Sequence, residues 1–338
     1  MLSLQAEKEA LERKINETSQ SFRSITSLSR DYSKSESYYL RNILKKHPKL
    51  NFHVIGVATG AWKNLCLSLR SAIVNGIRPT ILSWGIEYRS HKEYRHQTKV
   101  LEFISYLKNL PSDDIVLFSD TYDSLYLRGP DEILERFMIR CPVNSSGEPA
   151  CSFLVSAERV CWPLKLHVCK GHFKDPGPYN FINTGSWIAY AGAALAIFSD
   201  IEYELRSRPE REHFEDDQSG VQLLYIHNKE KFKIEIDYEF FIFSTVYLST
   251  QDFSISNGSA IVLNSVSKTS PAILHFNSDA KPEFLHYERN LFFNKLYRHP
   301  EIRKEIEETM LNFIIQGNVQ QQSFKEICDE KLRKDWYN

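Results

Sequence analysis

From residue 51 onward, apolar side chains gather in short runs rich in β-branched and aromatic residues. Between these runs they recur at the three- and four-residue spacing of helices. Residues 52–59 read as a first strand, 65–74 as a helix, 79–84 as a second strand and 96–110 as another helix. A third strand covers 114–119, a fourth 151–157, and a glycine-containing run at 181–190 makes a fifth. Apolar runs at 232–248, 259–264 and 271–276 predict more strands, and residues 283–334 read as mainly helical. Strands alternating with crossover helices define an α/β fold, a sheet flanked by helices on both faces. The first 49 residues have a different texture: Leu4, Leu11, Ile15, Phe22 and Ile25 form a loose helical stripe over a polar, charged face. This predicts a helical extension, either simply appended or serving as a partner-binding or dimerising helix, with too few heptads for a sustained coiled coil. The expected organisation is a helical extension at 1–49, a catalytic or binding domain at 50–285 and a helical C-terminal segment at 286–338.

The chain of 338 residues is 42% apolar, and its 42 Lys and Arg nearly balance 43 Asp and Glu. That is the composition of a globular protein with no long-range field to attract nucleic acid or an anionic membrane, so an anionic ligand must be held locally. No apolar run reaches the roughly 18 residues needed to span a bilayer, and the opening residues 1–8 are too polar for a secretory signal. Six cysteines are too sparse for a disulfide scaffold, but Cys141, Cys151, Cys161 and Cys169 lie close enough in sequence for a disulfide to form among them. Sequons at Asn16, Asn144 and Asn257 are usable only in a secretory compartment. The endoplasmic reticulum or Golgi lumen is expected if an upstream signal precedes this sequence, and the cytoplasm otherwise.

The strongest chemical feature is Asp120-Thr121-Tyr122-Asp123, directly after the third strand. Open α/β sheets bind ligands at the carboxyl ends of their strands, and two carboxylates there can share Mg²⁺ or Mn²⁺ whose remaining positions suit a nucleotide diphosphate. The alternative is that both acids cap the following turn. His275 closes the apolar run 271–274 and could complete a metal shell or be structural. Glu215-Asp216-Asp217-Gln218 opens a helical segment, where acids are favourable with the dipole; one of them could instead face a sugar or acceptor hydroxyl. Glu158 and Trp162 follow the fourth strand, where Trp162 either walls a pocket or packs beside Pro163. No dinucleotide fingerprint, phosphate loop or nucleophile elbow is present. Cys161, Cys169 and His172 lack a fourth ligand at zinc spacing.

Taken in order, the segments Val57-Ala58-Thr59, Gln97-Thr98-Lys99-Val100, Phe118 to Asp123, Ser156 to Pro163, Phe181 to Gly185, Asp216-Asp217-Gln218 and His275-Phe276-Asn277 resemble the glycosyltransferase domain of the procollagen lysyl hydroxylase/glycosyltransferase family. The resemblance covers residues 52 to about 282 and implies a GT-A-type, Rossmann-like mixed sheet and a metal-dependent UDP-sugar transferase. It implies that Asp120, Asp123 and His275 ligate Mn²⁺ (or Mg²⁺) bridging the UDP diphosphate. It further implies that Thr59, Lys99, Asn277 and Lys281 contact the donor. Asp216 and Asp217 then face the donor sugar and acceptor, with Glu158 and Trp162 shaping that pocket. The family's His-x-Asn-Gly stands here as His275-Phe276-Asn277-Ser278, its acidic run before the Gln is longer, and the loop 141–150 is individual.

The expected reaction is transfer of a hexose, glucose or galactose, from a UDP-sugar to a hydroxyl group. That hydroxyl could belong to hydroxylysine or galactosyl-hydroxylysine of a collagen-like protein, or to a glycan, lipid or other small acceptor. A non-catalytic nucleotide-sugar-binding protein is the competing class. Oligomeric state is open, a homodimer being one option because relatives of this kind often act as dimers, and 338 residues leave no room for a dioxygenase domain, so lysyl hydroxylation is not expected.

Overall fold

The computed structural model describes residues 51–87, 99–173, 177–207, 216–255, 261–291 and 296–336. The expected N-terminal helix, Glu215, and the Gln97 and Thr98 that open the second helix lie outside the described residues. The strands are β1 (Phe52–Val57), β2 (Thr80–Leu82), β3 (Ile115–Ser119), β4 (Ser124–Tyr126), β5 (Phe153–Glu158), β6 (Phe181–Tyr190), β7 (Ile234–Asp237), β8 (Phe243–Thr245), β9 (Phe253–Ile255), β10 (Val262–Asn264), β11 (Ile273–His275), β12 (Met310–Ile315) and β13 (Asn318–Ser323). The principal helices are α1 (Lys63–Val74), α2 (Lys99–Leu107), α3 (Pro130–Arg140), α4 (Ala191–Ser207), α5 (Asp217–Phe232), α6 (Lys281–Asn290), α7 (Pro300–Glu308) and α8 (Phe324–Trp336).

An eight-stranded mixed sheet runs in the order β13-β12-β2-β1-β3-β6-β5-β7. β3 is its central strand, buried at every residue as an all-apolar Ile-Val-Leu-Phe run requires. Val116 and Phe118 meet Phe103, Trp187 and Phe198 in one core cluster, while Ile81, Leu69, Leu274 and Phe313 belong to a second. Each large apolar side chain buried this way contributes about 1.5–3 kcal/mol. α3 starts at Pro130 with Asp131 and Glu132 in its first turn and ends on Arg140, a charge order that matches the helix dipole. A smaller sheet, β4-β11-β8, lies beside the carboxyl end of β3.

Two features depart from the sequence reading. The C-terminal segment is not wholly helical: β12 and β13 form an antiparallel hairpin between α7 and α8, and β12 adds parallel to β2 at the sheet edge. Its two-residue turn, Gln316-Gly317, has φ of 49° and 79°, the left-handed pair that suits a tight hairpin. The cysteines form three disulfides, Cys66–Cys328, Cys141–Cys151 and Cys161–Cys169. The first ties α8 to α1 across 262 residues of sequence.

Candidate active site

The turn Asp120–Asp123 is held at every residue. Asp120 N–H donates to Gly185 O at 2.7 Å, and Phe276 N–H donates to Asp123 O at 2.7 Å. Thr121 Oγ1 donates to Val57 O at 2.6 Å, and the Tyr122 hydroxyl accepts from Thr59 N–H at 3.0 Å. β1, β6 and β11 therefore converge on this turn and fix its carboxylates.

Asp120, Asp123 and His275 each offer one ligand atom within 4.8 Å of the others. His275 Nε2 lies 3.4 Å from Asp123 Oδ1 and 3.6 Å from Asp120 Oδ2. Its other nitrogen faces Asn183 Oδ1 at 3.0 Å, and that oxygen also accepts Gly185 N–H at 3.0 Å. With Asn183 oriented as an acceptor, Nδ1 carries a proton, and Nε2 points at two carboxylates, donating to them in the cationic ring or offering a lone pair to a metal in the neutral one. Asp123 Oδ1 is buried without a hydrogen-bond partner. A ring nitrogen, a buried carboxylate oxygen without a hydrogen-bond partner and a second carboxylate in one place offer a mixed O/N donor set of the kind that suits Mn²⁺ or Mg²⁺. The residues present fit a divalent metal.

Gly185 makes this packing possible, because a Cβ there would lie 2.0 Å from His275 Cε1. It belongs to an irregularity in the β5–β6 pairing: Val155 faces Trp187 while Ser156 faces Asn183, so residues 184–186 bulge toward the site.

Cations flank the acids. Lys99 Nζ lies 2.6 Å from Asp120 Oδ1 and Lys281 Nζ 3.4 Å from Asp123 Oδ2. Burial alone would raise the Asp123 carboxyl, but His275, Lys281 and Lys99 outweigh it and hold the group below its ordinary value. Asp123 therefore stays ionised.

A cavity of about 450 Å³ opens from this cluster, within the range of small-molecule sites. Its other side is lined by Glu158, Trp162, Asp216, Asp217, Gln218 and Asn277. Asp216 caps α5, accepting Ser219 N–H at 2.7 Å while the Ser219 hydroxyl returns to Asp216 N–H at 2.9 Å. The cap turns Asp217 into the cavity wall, where Thr184 Oγ1 donates to it at 2.9 Å. Burial pushes the Asp217 carboxyl up to about 6; Lys99 opposes the rise, and Asp216 and Asp120 add to it. Glu158 accepts from Gln218 Nε2 at 2.7 Å and from Asn277 Nδ2 at 3.0 Å. Burial pushes Glu158 up to about 8 despite the amides of Asn183, Gln218 and Asn277, and Asp216 adds to the rise. Trp162 is 47% exposed at the rim, its carbonyl accepting from the side chains of Gln218 and Gln222.

All the site residues expected from the sequence line this cavity except Thr59, whose backbone hangs on Tyr122 behind the lining. Asn183, Thr184, Gly185, Gln218 and Tyr122 stood inside the motifs without assigned roles, and here they orient the acids and the histidine.

The family model described as PLOD GT domain matches residues 48–301, and the chain belongs to that family. It is a glycosyltransferase domain, and hence a transferase. Among curated proteins it is 25% identical over 245 residues to a procollagen-lysine,2-oxoglutarate 5-dioxygenase of Drosophila melanogaster, covering 69% of this chain and 31% of that one. It is also 25% identical over 190 residues to the uncharacterized protein R699 of Acanthamoeba polyphaga mimivirus, covering 56% and 37%. A match to the multifunctional procollagen lysine hydroxylase and glycosyltransferase LH3 of Rattus norvegicus is 24% identical and covers 50% and 21%. The chain thus spans between about a fifth and two fifths of the length of these relatives. Among solved structures, the galactosyltransferase LgtC in complex with donor and acceptor sugar analogs aligns with a TM-score of 0.40 at 13% identity, over 71% of this chain and 96% of that one. No helix among the described residues is long and apolar enough to cross a membrane.

Proposed function

We propose that this domain transfers a hexose, glucose or galactose, from a UDP-sugar to an acceptor hydroxyl in a reaction that depends on Mn²⁺ or Mg²⁺. The observation that carries this reading is the convergence of two chemically opposite groups of acids on one cavity: Asp120 and Asp123 with His275 at one end, Asp217 and Glu158 at the other.

Asp120, Asp123 and His275 would hold the divalent cation, and Lys99 and Lys281 stand ready to face the diphosphate. When bound, the metal supplies Lewis-acid stabilisation of the charge that develops on the departing nucleotide. As the bond between the anomeric carbon and the phosphate oxygen breaks, Lys99 can meet the same negative charge by direct electrostatics. Asp217, ionised above about 6, can accept a hydrogen bond from the sugar or acceptor, or stabilise positive charge at the anomeric centre. Glu158, neutral below about 8, can donate one. Trp162 offers an aromatic face at the rim for a sugar ring.

For the acceptor we propose hydroxylysine or galactosyl-hydroxylysine of a collagen-like chain. The names of the relatives support this choice, and so does the acid-rich wall, which suits the amine beside that hydroxyl. Six cysteines in three disulfides support an oxidising, lumenal setting.

The test is nucleotide release from a panel of UDP- and GDP-sugars, with Mn²⁺ and then with EDTA, with hydroxylysyl peptides as acceptors. Metal-dependent UDP release from one hexose donor supports the reading. Mn²⁺-dependent UDP binding with no transfer to any acceptor would replace it by a binding role, and absence of UDP binding would remove the donor class.

A further inference from the structure

The turn that leads into α6 holds a residue in an unfavourable conformation. Ser278 has φ of +53°, and of the seven non-glycine residues with positive φ among those described it alone lines the cavity. Glycine takes this conformation without steric cost. Residues held in it against their preference collect where a ligand is gripped. Ser278 is solvent-exposed, and its hydroxyl has no hydrogen-bond partner among the described residues. The hydroxyl is therefore free to face a ligand in the cavity.

The surroundings indicate what the hydroxyl faces. Ser278 opens a short helical turn, Ser278–Ala280, and its carbonyl accepts Lys281 N–H. Both Ser278 and Lys281 line the cavity. The Lys281 ammonium lies 3.4 Å from Asp123 Oδ2, at the edge of the acid cluster. A position beside a lysine and beside acids that would share a divalent cation suits an anionic oxygen once that cation is held, and a neutral O–H there completes a charge-assisted hydrogen bond. Asn277, one residue earlier, is already committed: its amide nitrogen donates to Glu158 and its oxygen accepts Tyr247 N–H at 3.3 Å. Ser278 is thus the uncommitted donor of this turn.

We propose that the Ser278 hydroxyl donates a hydrogen bond to a phosphate oxygen of the bound nucleoside diphosphate, beside Lys281, and is a determinant of donor affinity. This rests on the donor reading given above. Calorimetric titration of UDP in the presence of Mn²⁺ tests it on the wild-type chain, Ser278→Ala and Ser278→Gly, with thermal melting as the control for folding. Ser278→Ala keeps a non-glycine residue in the left-handed conformation and removes only the oxygen, whereas Ser278→Gly removes the oxygen and relaxes the backbone, so the pair separates loss of the hydroxyl from relief of strain. Both are expected to bind UDP about tenfold more weakly, the loss of one hydrogen bond to a charged group, with melting temperatures at or near that of the wild type. Wild-type affinity in Ser278→Ala overturns the assignment while leaving the donor reading intact. Failure of the wild-type chain itself to bind UDP overturns both.

Discussion

The two ends of the cavity use the same residue type to opposite effect. At one end Asp123 is fully enclosed, yet His275, Lys281 and Lys99 keep it ionised. At the other, Asp217 and Glu158 are equally enclosed, but amides and hydroxyls surround them and a further carboxylate stands near, so both titrate well above their ordinary range. Burial penalises the charged form in every case, and the outcome depends on whether nearby cations outweigh it: His275, Lys281 and Lys99 together do so at Asp123, whereas Lys99, opposed by Asp216 and Asp120, does not at Asp217. One end is thereby suited to bind a cation and the other to exchange hydrogen bonds or protons with a substrate. Lys99 belongs to both, bonded to Asp120 and lowering Asp217.

Removing a ligand from the cationic end breaks this comparison most directly. Asp123→Ala should abolish Mn²⁺ binding and sugar transfer together while the protein still melts cooperatively, because the side chain lines a cavity and does not fill a core. Calorimetry with Mn²⁺ alone checks it, and undiminished affinity would show that the acid cluster is not the metal site.

Neutralising the other end should separate binding from turnover. Asp217→Asn keeps the shape and the Thr184 contact, so UDP and Mn²⁺ affinities should change little, while kcat falls by roughly 10²–10⁴-fold, the usual worth of a positioned acid or base. Steady-state kinetics beside UDP calorimetry distinguish the two effects. An equal loss in both would make Asp217 part of the donor site instead.

A subtler way to disturb the cationic end leaves every ligand in place. Gly185→Ala forces the His275 ring from its seat, since the added carbon would overlap Cε1. Displacing the support of a metal-ligating histidine weakens affinity about 10–100-fold, read again with Mn²⁺ alone. Asn183→Ala removes the oxygen that sets the ring's tautomer and should produce a smaller loss of the same kind.

The sequence placed Asp120 and Asp123 together at a strand end, whereas Asn183 and Gly185 stood in a motif with nothing to show that they pack against His275. An unbroken apolar strand running into two acids announces its own carboxyl end, and His275 closes a similar run. The roles of Asn183 and Gly185 arise only when β6 slips against β5 and pushes residues 184–186 toward β11, an event set by pairing between distant segments. The C-terminal hairpin escaped for a related reason. β13 is an edge strand, Asn-Val-Gln-Gln-Gln-Ser, exposed along most of its length, so it carries no apolar alternation. Its turn is Gln-Gly, not the Asn-Gly that signals a hairpin most strongly. Cys66 and Cys328 could not be paired from spacing across so long a separation. The central sheet was readable because strands such as β3 are short continuous apolar runs, while a crossover helix such as α2 buries one periodic face, Val100, Phe103, Ile104 and Leu107.

The smallest expected effect concerns protons. Glu158 is the acid raised furthest at the polar end, up to about 8 from an ordinary value of 4.5. Below 4.5 both the folded and unfolded chains carry this proton. Between 4.5 and 8 the unfolded chain has released it and the folded one has not, so folding takes up a proton and stability falls with rising pH. Above about 8 both have released it and the loss levels off. The slope contributed is at most about 1.4 kcal/mol per pH unit. Glu158→Gln removes the titration while keeping the shape, so the melting temperature of the wild type relative to this variant should decline steadily from pH 5 to 8 and then flatten. The Asp123 end predicts the opposite tilt: its lowered carboxyl stabilises the fold at neutral pH and that contribution disappears on acidification. If the difference between wild type and Glu158→Gln does not change with pH, Glu158 is ionised in the fold. The two ends of the cavity would then hold the same protonation state, with amides sufficing where lysines and a histidine are otherwise required.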